Sequence, residues 1–218
     1  MAKKKNISKD QIISFYMDYV LEYNEQPKSV YAFSKHNNFE ESKFYEYYTS
    51  FGAVEKGVFK AFFDNTLKAL EASEEYGSFE PRNKLLSFYF TFFENLTANR
   101  SYVVYALHKH KSKLEVFSVL SELKVAFSNY IKELGIDLVD LKQEQLERFQ
   151  SRGLQETAWL QLLLTMKFWM DDTSSSFEKT DIFIEKSVNT SFDVLNVIPL
   201  KSLIDFGKFI FKEKIHTN

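Results

Sequence analysis

Cysteine is missing from this chain of 218 residues, proline occurs three times and glycine six. The first absence excludes disulfides, thiolate metal sites and cysteine nucleophiles. The scarcity of the other two removes the usual punctuation of strand-rich folds, and Leu, Lys, Glu, Phe and Ala recur at helical spacing, so the chain reads as all-α. An excess charge of one sign is also missing. With 28 basic against 30 acidic residues the net charge is −2 and the sequence pI about 6.1, so any attraction to a polyanion must be local. No apolar run reaches the ~18 residues of a membrane span, and the start, MAKKKNISKDQ, carries no apolar leader core. The expectation is a cytoplasmic protein. What is plentiful is aromatic carbon, 23 Phe and 12 Tyr, which suits either a Phe-packed core or a large hydrophobic pocket.

Catalytic signatures are missing too: the sequence contains no GxGxxG, Walker loop, GxSxG or HExxH. His108 and His110 are the one close His pair, and i, i+2 positions on a helix point to different sides, against joint metal ligation. Glu74-Glu75 and Asp171-Asp172 read as solvated loop acids. No enzyme activity, metal or cofactor is expected.

The informative stretch is Ser29 to Phe51, SVYAFSKHNNFEESKFYEYYTSF. Ser29 suits a helix N-cap, Val30 and Phe33 share one side of a short helix, and His36-Asn37-Asn38 supplies a turn in which Asn tolerates positive φ. Phe39 then anchors a second helix whose inward positions are Phe44 and Tyr48, spaced i, i+4. This is a helix-turn-helix pattern. Laid without gaps, it resembles the DNA-binding motif of the TetR family of bacterial repressors. That motif usually opens on Thr-Val, turns on Ala-Gly-Val and continues Leu-Tyr-x-His-Phe. The counterparts here are Ser29-Val30, Asn37-Asn38-Phe39 and Phe44-Tyr45-Glu46-Tyr47-Tyr48. The flanks agree: Ile12 to Tyr23 is similar to the family's first helix, and Ala53 to Ala72 to its long connecting helix.

The resemblance implies a TetR-repressor-like fold, with a three-helix DNA-binding domain over 1–52 and a larger helical ligand-binding and dimerisation domain over 53–218. It implies a ligand-responsive dimeric regulator of operator DNA. The expected DNA contacts are Ser29, Lys35, Ser42, Lys43, Tyr45 and Tyr47, with an arm at Lys3-Lys4-Lys5. Against the family pattern, Glu40 and Glu41 open the second helix, where free N–H groups and the helix dipole would otherwise attract phosphate. Eight lysines and eight acids precede Gly57, so this part has no net charge. By position, a small hydrophobic effector is expected near Phe90, Phe93, Tyr105, His108, Phe127, Trp159 and Met166.

Further along, Pro81 to Asn99, Ser101 to Lys111, Lys113 to Leu134, Leu138 to Gln150, Leu154 to Met170 and Phe177 to Ile198 read as successive helices. The first of the last two, near 154–170, leaves almost no wet face and needs a partner. The resemblance implies that it and the helix near 177–198 form the homodimer interface, as the two penultimate helices typically do in the TetR family. The last segment, Leu200 to Ile215, is amphipathic with a net charge of +2. Docking on its own domain is the favoured role for it, and contact with a membrane surface the less favoured one. An alternative of another class is a lipid- or isoprenoid-binding protein of the COQ nine type, which shares the TetR shape and does not read DNA.

Overall fold

The computed structural model describes residues 6–110, 112–136 and 144–197. The arm at Lys3-Lys4-Lys5 and the segment Leu200 to Ile215 lie outside them, as do residues 138–143 of the expected helix over 138–150. Among the described residues every regular element is a helix: α1 Lys9–Tyr23, α2 Val30–His36, α3 Glu41–Tyr45, α4 Phe51–Glu71, α5 Pro81–Ala98, α6 Arg100–His108, α7 Lys113–Val119, α8 Ser121–Glu133, α9 Glu144–Asp171 and α10 Glu178–Val197, with single 3-10 turns at Tyr76–Ser78 and Ser175–Phe177. The fold is all-α, as the scarcity of Gly and Pro implies. Among the described residues no helix is long and apolar enough to cross a membrane.

The helix starts follow local chemistry. Ser8 and Gln11 form a reciprocal capping box on α1, and the hydroxyls of Ser29, Ser50 and Ser112 accept from the N–H groups of Ala32, Ala53 and Glu115. Pro81 takes the first position of α5, where a missing N–H costs nothing. Gly135, at φ +67°, stands two residues past the end of α8 in the left-handed conformation that closes a helix.

Two element boundaries differ from the sequence expectation. The stretch Lys113 to Leu134 is not one helix: it breaks at Leu120 (φ −84°, ψ 4°). Leu114 and Phe117 of α7 are exposed, whereas Val119, Leu120, Leu123 and Phe127 are buried at helical spacing across the break. Conversely, α9 runs unbroken through Gly153 as a 28-residue helix where two were expected.

The chain forms two compact units. The first comprises the described residues to Gly77 and Phe88–Phe127. Its core is aromatic: Phe63, Phe88, Phe92 and Phe127 pack through ring pairs with centroids 5.4 Å apart, and Phe33, Phe44 and Phe51 form a second knot at 5.3–6.3 Å. Such pairs add to area burial because the ring quadrupole favours offset and edge-on contacts. The second unit comprises Ser78–Ser87 and the described residues from Ser128 on. There α9 and α10 pair about Leu162, Met166, Trp169, Ile184 and Val188, all buried. Asp172 stitches the turn joining them: its carboxylate accepts from the N–H and hydroxyl of Ser174 (2.8 and 2.7 Å) and of Thr180 (3.0 and 2.7 Å). The expectation of a solvated acid therefore fails for Asp172, which is buried, and holds for Asp171, which stays exposed and pairs with Lys167.

Candidate functional site

The turn between α2 and α3 is fixed by the backbone. Asn38 lies at φ +57°, its N–H donates to Lys35 O (3.3 Å), and Phe39 N–H donates to Ser34 O (3.0 Å). These two bonds make a Schellman closure, and its usual apolar contact is supplied by Phe33 against Phe39, centroids 5.7 Å apart. Asn37 adds a side-chain bond to Phe33 O (2.9 Å). Helix α3 is then anchored by one fully buried residue, Phe44, with Tyr48 buried one turn later. Both expected inward positions point inward. Tyr48 meets α4 at Gly57, where a Cβ would lie 2.7 Å from its Oη, so only glycine permits the approach.

With Phe44 and Tyr48 inside, the opposite face of the pair is open. Tyr45 is 53 % exposed and Tyr47 42 %, and Ser29, Lys35 and Ser42 are exposed as well. Lys43 is half-exposed and engaged: its ammonium donates to both oxygens of Glu46 at 2.8 and 3.1 Å. That bond and the charge of Glu46 raise the Lys43 pKa, so it stays charged. The Ser29 hydroxyl is committed to its cap. Tyr31, which the sequence reading passed over, is the most exposed aromatic here and lies one turn before Lys35, a spacing the sequence did carry. Glu40 flanks the start of α3 without making a side-chain cap, so acids do stand at its N-terminus.

The second unit holds a cavity of about 420 Å³ lined by Leu85, Ile131, Leu154, Ala158, Phe192 and Leu195, with the exposed Phe149 and Val194 beside it. Its polar groups are Gln150, Thr157, Gln161, Thr190 and Ser191, and among the described residues no ionisable side chain lines it. Gln161 is held in place, donating to Ser187 Oγ (3.2 Å) and accepting from Ser191 Oγ (3.1 Å). Such a site selects neutral, mostly apolar molecules, because a charge entering it would lose water and gain no counter-charge.

Compared with known protein families, residues 84–210 match the tetracyclin repressor-like C-terminal domain, over more than half of the chain. The chain belongs to the tetracyclin repressor-like family. No curated protein matches it. The family match begins within α5 and leaves the helix-turn-helix outside it.

Against this tetracyclin repressor-like body the seven positions expected to meet an effector are scattered. None of them lines the 420 Å³ cavity. Phe93 and Phe127 are buried in the aromatic core of the first unit, and Phe90 is exposed. Tyr105 and His108 border a shallow groove with Val20, Leu21 and Lys109. Trp159 and Met166 are buried on α9. Helical periodicity marks which residues are apolar, but it does not tell which side of a nearly all-apolar helix borders a void. The helix expected over Ser101 to Lys111 ends at His108, so the i, i+2 helical argument does not apply to the two histidines: His108 ends α6 exposed, while His110 lies beyond the helix, beside Glu115.

The face of α9 and α10 carries an apolar stripe. Leu160, Leu164 and Phe168 follow at i, i+4, i+8, exposed, with Ile182 exposed on α10 and Phe183 stacked on Phe168 at 4.6 Å.

Proposed function

We propose that this tetracyclin repressor-like protein is a dimeric, ligand-responsive DNA-binding regulator, with α2 and α3 as its reading head. The observation that carries this reading is the uncovered outer face of that pair, where Tyr31, Lys35, Ser42, Tyr45 and Tyr47 stand exposed on a turn geometry that buries Phe44 and Tyr48 behind them. Side chains projecting from such a face read base edges or hold phosphates. The exposed stripe of Leu160, Leu164 and Phe168 supports pairing with a second copy through α9 and α10. In TetR-like proteins the penultimate helices typically form that interface. The neutral, apolar cavity of the second unit is the proposed effector site. An effector there acts only by favouring one arrangement of the two heads over the other, by about 1–3 kcal/mol for a useful response.

The test is a gel shift with the DNA upstream of the protein's own gene. A retarded band that weakens as salt rises is expected. Lys43→Glu abolishes it, and Glu46→Gln, which frees Lys43, strengthens it and steepens the salt dependence by about one counterion. A second reading has its own support in Glu40, Glu41 and the Glu46 lock on Lys43: a lipid carrier of the COQ nine type that binds no DNA. Absence of any shift together with co-purified lipid in native mass spectrometry decides for it.

A further inference from the structure

Glu55 lies in the second turn of α4 and is only 4 % exposed. A carboxylate in such a place is tolerated only when partnered. Its partners come from two other parts of the first unit. Tyr16 of α1 donates its hydroxyl to Oε1, and Lys109, the first residue past α6, donates its ammonium to the same oxygen. Burial first, then the charge and hydrogen bond of Glu55, push the Tyr16 phenol far above its ordinary range, so it remains a donor. On the other side, His110 Nε2 lies 3.9 Å from Oε2, and His110 Nδ1 lies 3.5 Å from Glu115 of α7. Tyr102 and Tyr105 of α6 also face the carboxylate, and the Tyr102 hydroxyl, buried, has no hydrogen-bond partner among the described residues.

The two ends of the ion pair are unequal. The Lys109 side chain is 22 % exposed and sits at the end of a helix, whereas that of Glu55 is 6 % exposed in the middle of three elements. Lys109 can withdraw into water by changing rotamer. Glu55 cannot follow, and is then a buried anion with Tyr16 and a conditionally charged His110 as its remaining partners.

We propose that the Glu55–Lys109 pair is a releasable latch: Glu55 positions α1, and with it the helix-turn-helix, according to where the segment following α6 lies. Nothing in the length or charge of α6 would show this, because the link is made by one side chain beyond its end. The role assigned to the latch rests on the DNA-binding reading, but its physical core can be measured without DNA.

The experiment uses the full chain as wild type, Lys109→Met, Glu55→Gln and the double variant, with hydrogen exchange followed by mass spectrometry over Lys9–Tyr23 and Phe51–Glu71 and Glu144–Asp171 as internal reference. Lys109→Met is expected to speed exchange in α1 by at least about tenfold while leaving α9 unchanged. Glu55→Gln leaves α1 within about threefold of wild type, since an amide oxygen still accepts from Tyr16, and the double variant returns to that level because no buried charge remains. Unchanged α1 exchange in Lys109→Met overturns the latch, as does a double variant as fast as Lys109→Met alone. Should Lys109→Met fail to fold, recovery of helical melting in the double variant supports the latch and continued failure overturns it. The same four proteins in the gel shift separate the two ideas: the exchange pattern without any DNA band, wild type included, removes the DNA reading and leaves the latch, whereas a wild-type band with no rescue in the double variant removes the latch alone.

Discussion

At the scale of single residues, the tightest constraint on the head is Gly57. Its Cα faces the ring of Tyr48 so closely that an added methyl would lie 2.7 Å from Oη and 2.8 Å from Cε1. The Tyr48 hydroxyl is buried without a hydrogen-bond partner among the described residues, so the ring gains no bond by staying and must shift when pushed. Gly57→Ala, although it improves helix propensity, is expected to destabilise by about 1–3 kcal/mol through overpacking, read as a lowered melting temperature. Asp172 gives a pH signature. Burial alone would raise its pKa, but the hydrogen bonds from Ser174 and Thr180 outweigh that and hold it at about 2. A depressed pKa contributes stability that is present above the ordinary carboxylate value near 4 and fades as pH falls toward 2. An acid titration of the fluorescence of Trp169, three residues away, is expected to show a step in that window, and Asp172→Asn to flatten it. The residue-level features that were legible in the sequence are those decided by near neighbours: the Ser29 cap, the left-handed Asn38, the inward Phe44 and Tyr48. Glu55 was not, because Tyr16 and Lys109 lie 39 and 54 positions away along the chain.

At the scale of elements, amphipathic period places nearly every helix but not its neighbours. The break at Leu120 has no Gly or Pro to announce it, and the buried positions Val119, Leu123 and Phe127 keep helical spacing across it. The continuity of α9 through Gly153 was equally hidden. An interior glycine costs a helix about 1 kcal/mol relative to Ala, yet the packing of the turns on either side outweighs it. The same limit hid the cavity, whose walls come from α5, α8, α9 and α10 at once. The stripe Leu160, Leu164, Phe168 is the element-level prediction. Leu164 is 52 % exposed, so replacing it by Asp disturbs little within one chain. In a dimer joined through α9 and α10 the same change buries an unpaired charge twice. Leu164→Asp is therefore expected to shift the protein to monomer in analytical ultracentrifugation while its helical circular dichroism is retained.

At the scale of the whole molecule, the net charge of −2 leaves the two proposed functions to local chemistry. The proposed reading face works by local cations and is salt-sensitive, whereas among the described residues the cavity of the second unit has no ionisable wall. A neutral, apolar fluorescent probe is expected to bind there with an affinity that changes by less than about twofold between pH 6 and 8 and between low and moderate salt, measured by titration. Thr157→Trp, which places a ring in the cavity wall, should weaken it. A wall without titratable groups makes the proposed sensor deaf to the ionic state of its surroundings. Acidification or osmotic stress would then reach gene control only through the DNA end, and dose–response curves taken under different ionic conditions would differ in height while keeping the same midpoint on the ligand axis.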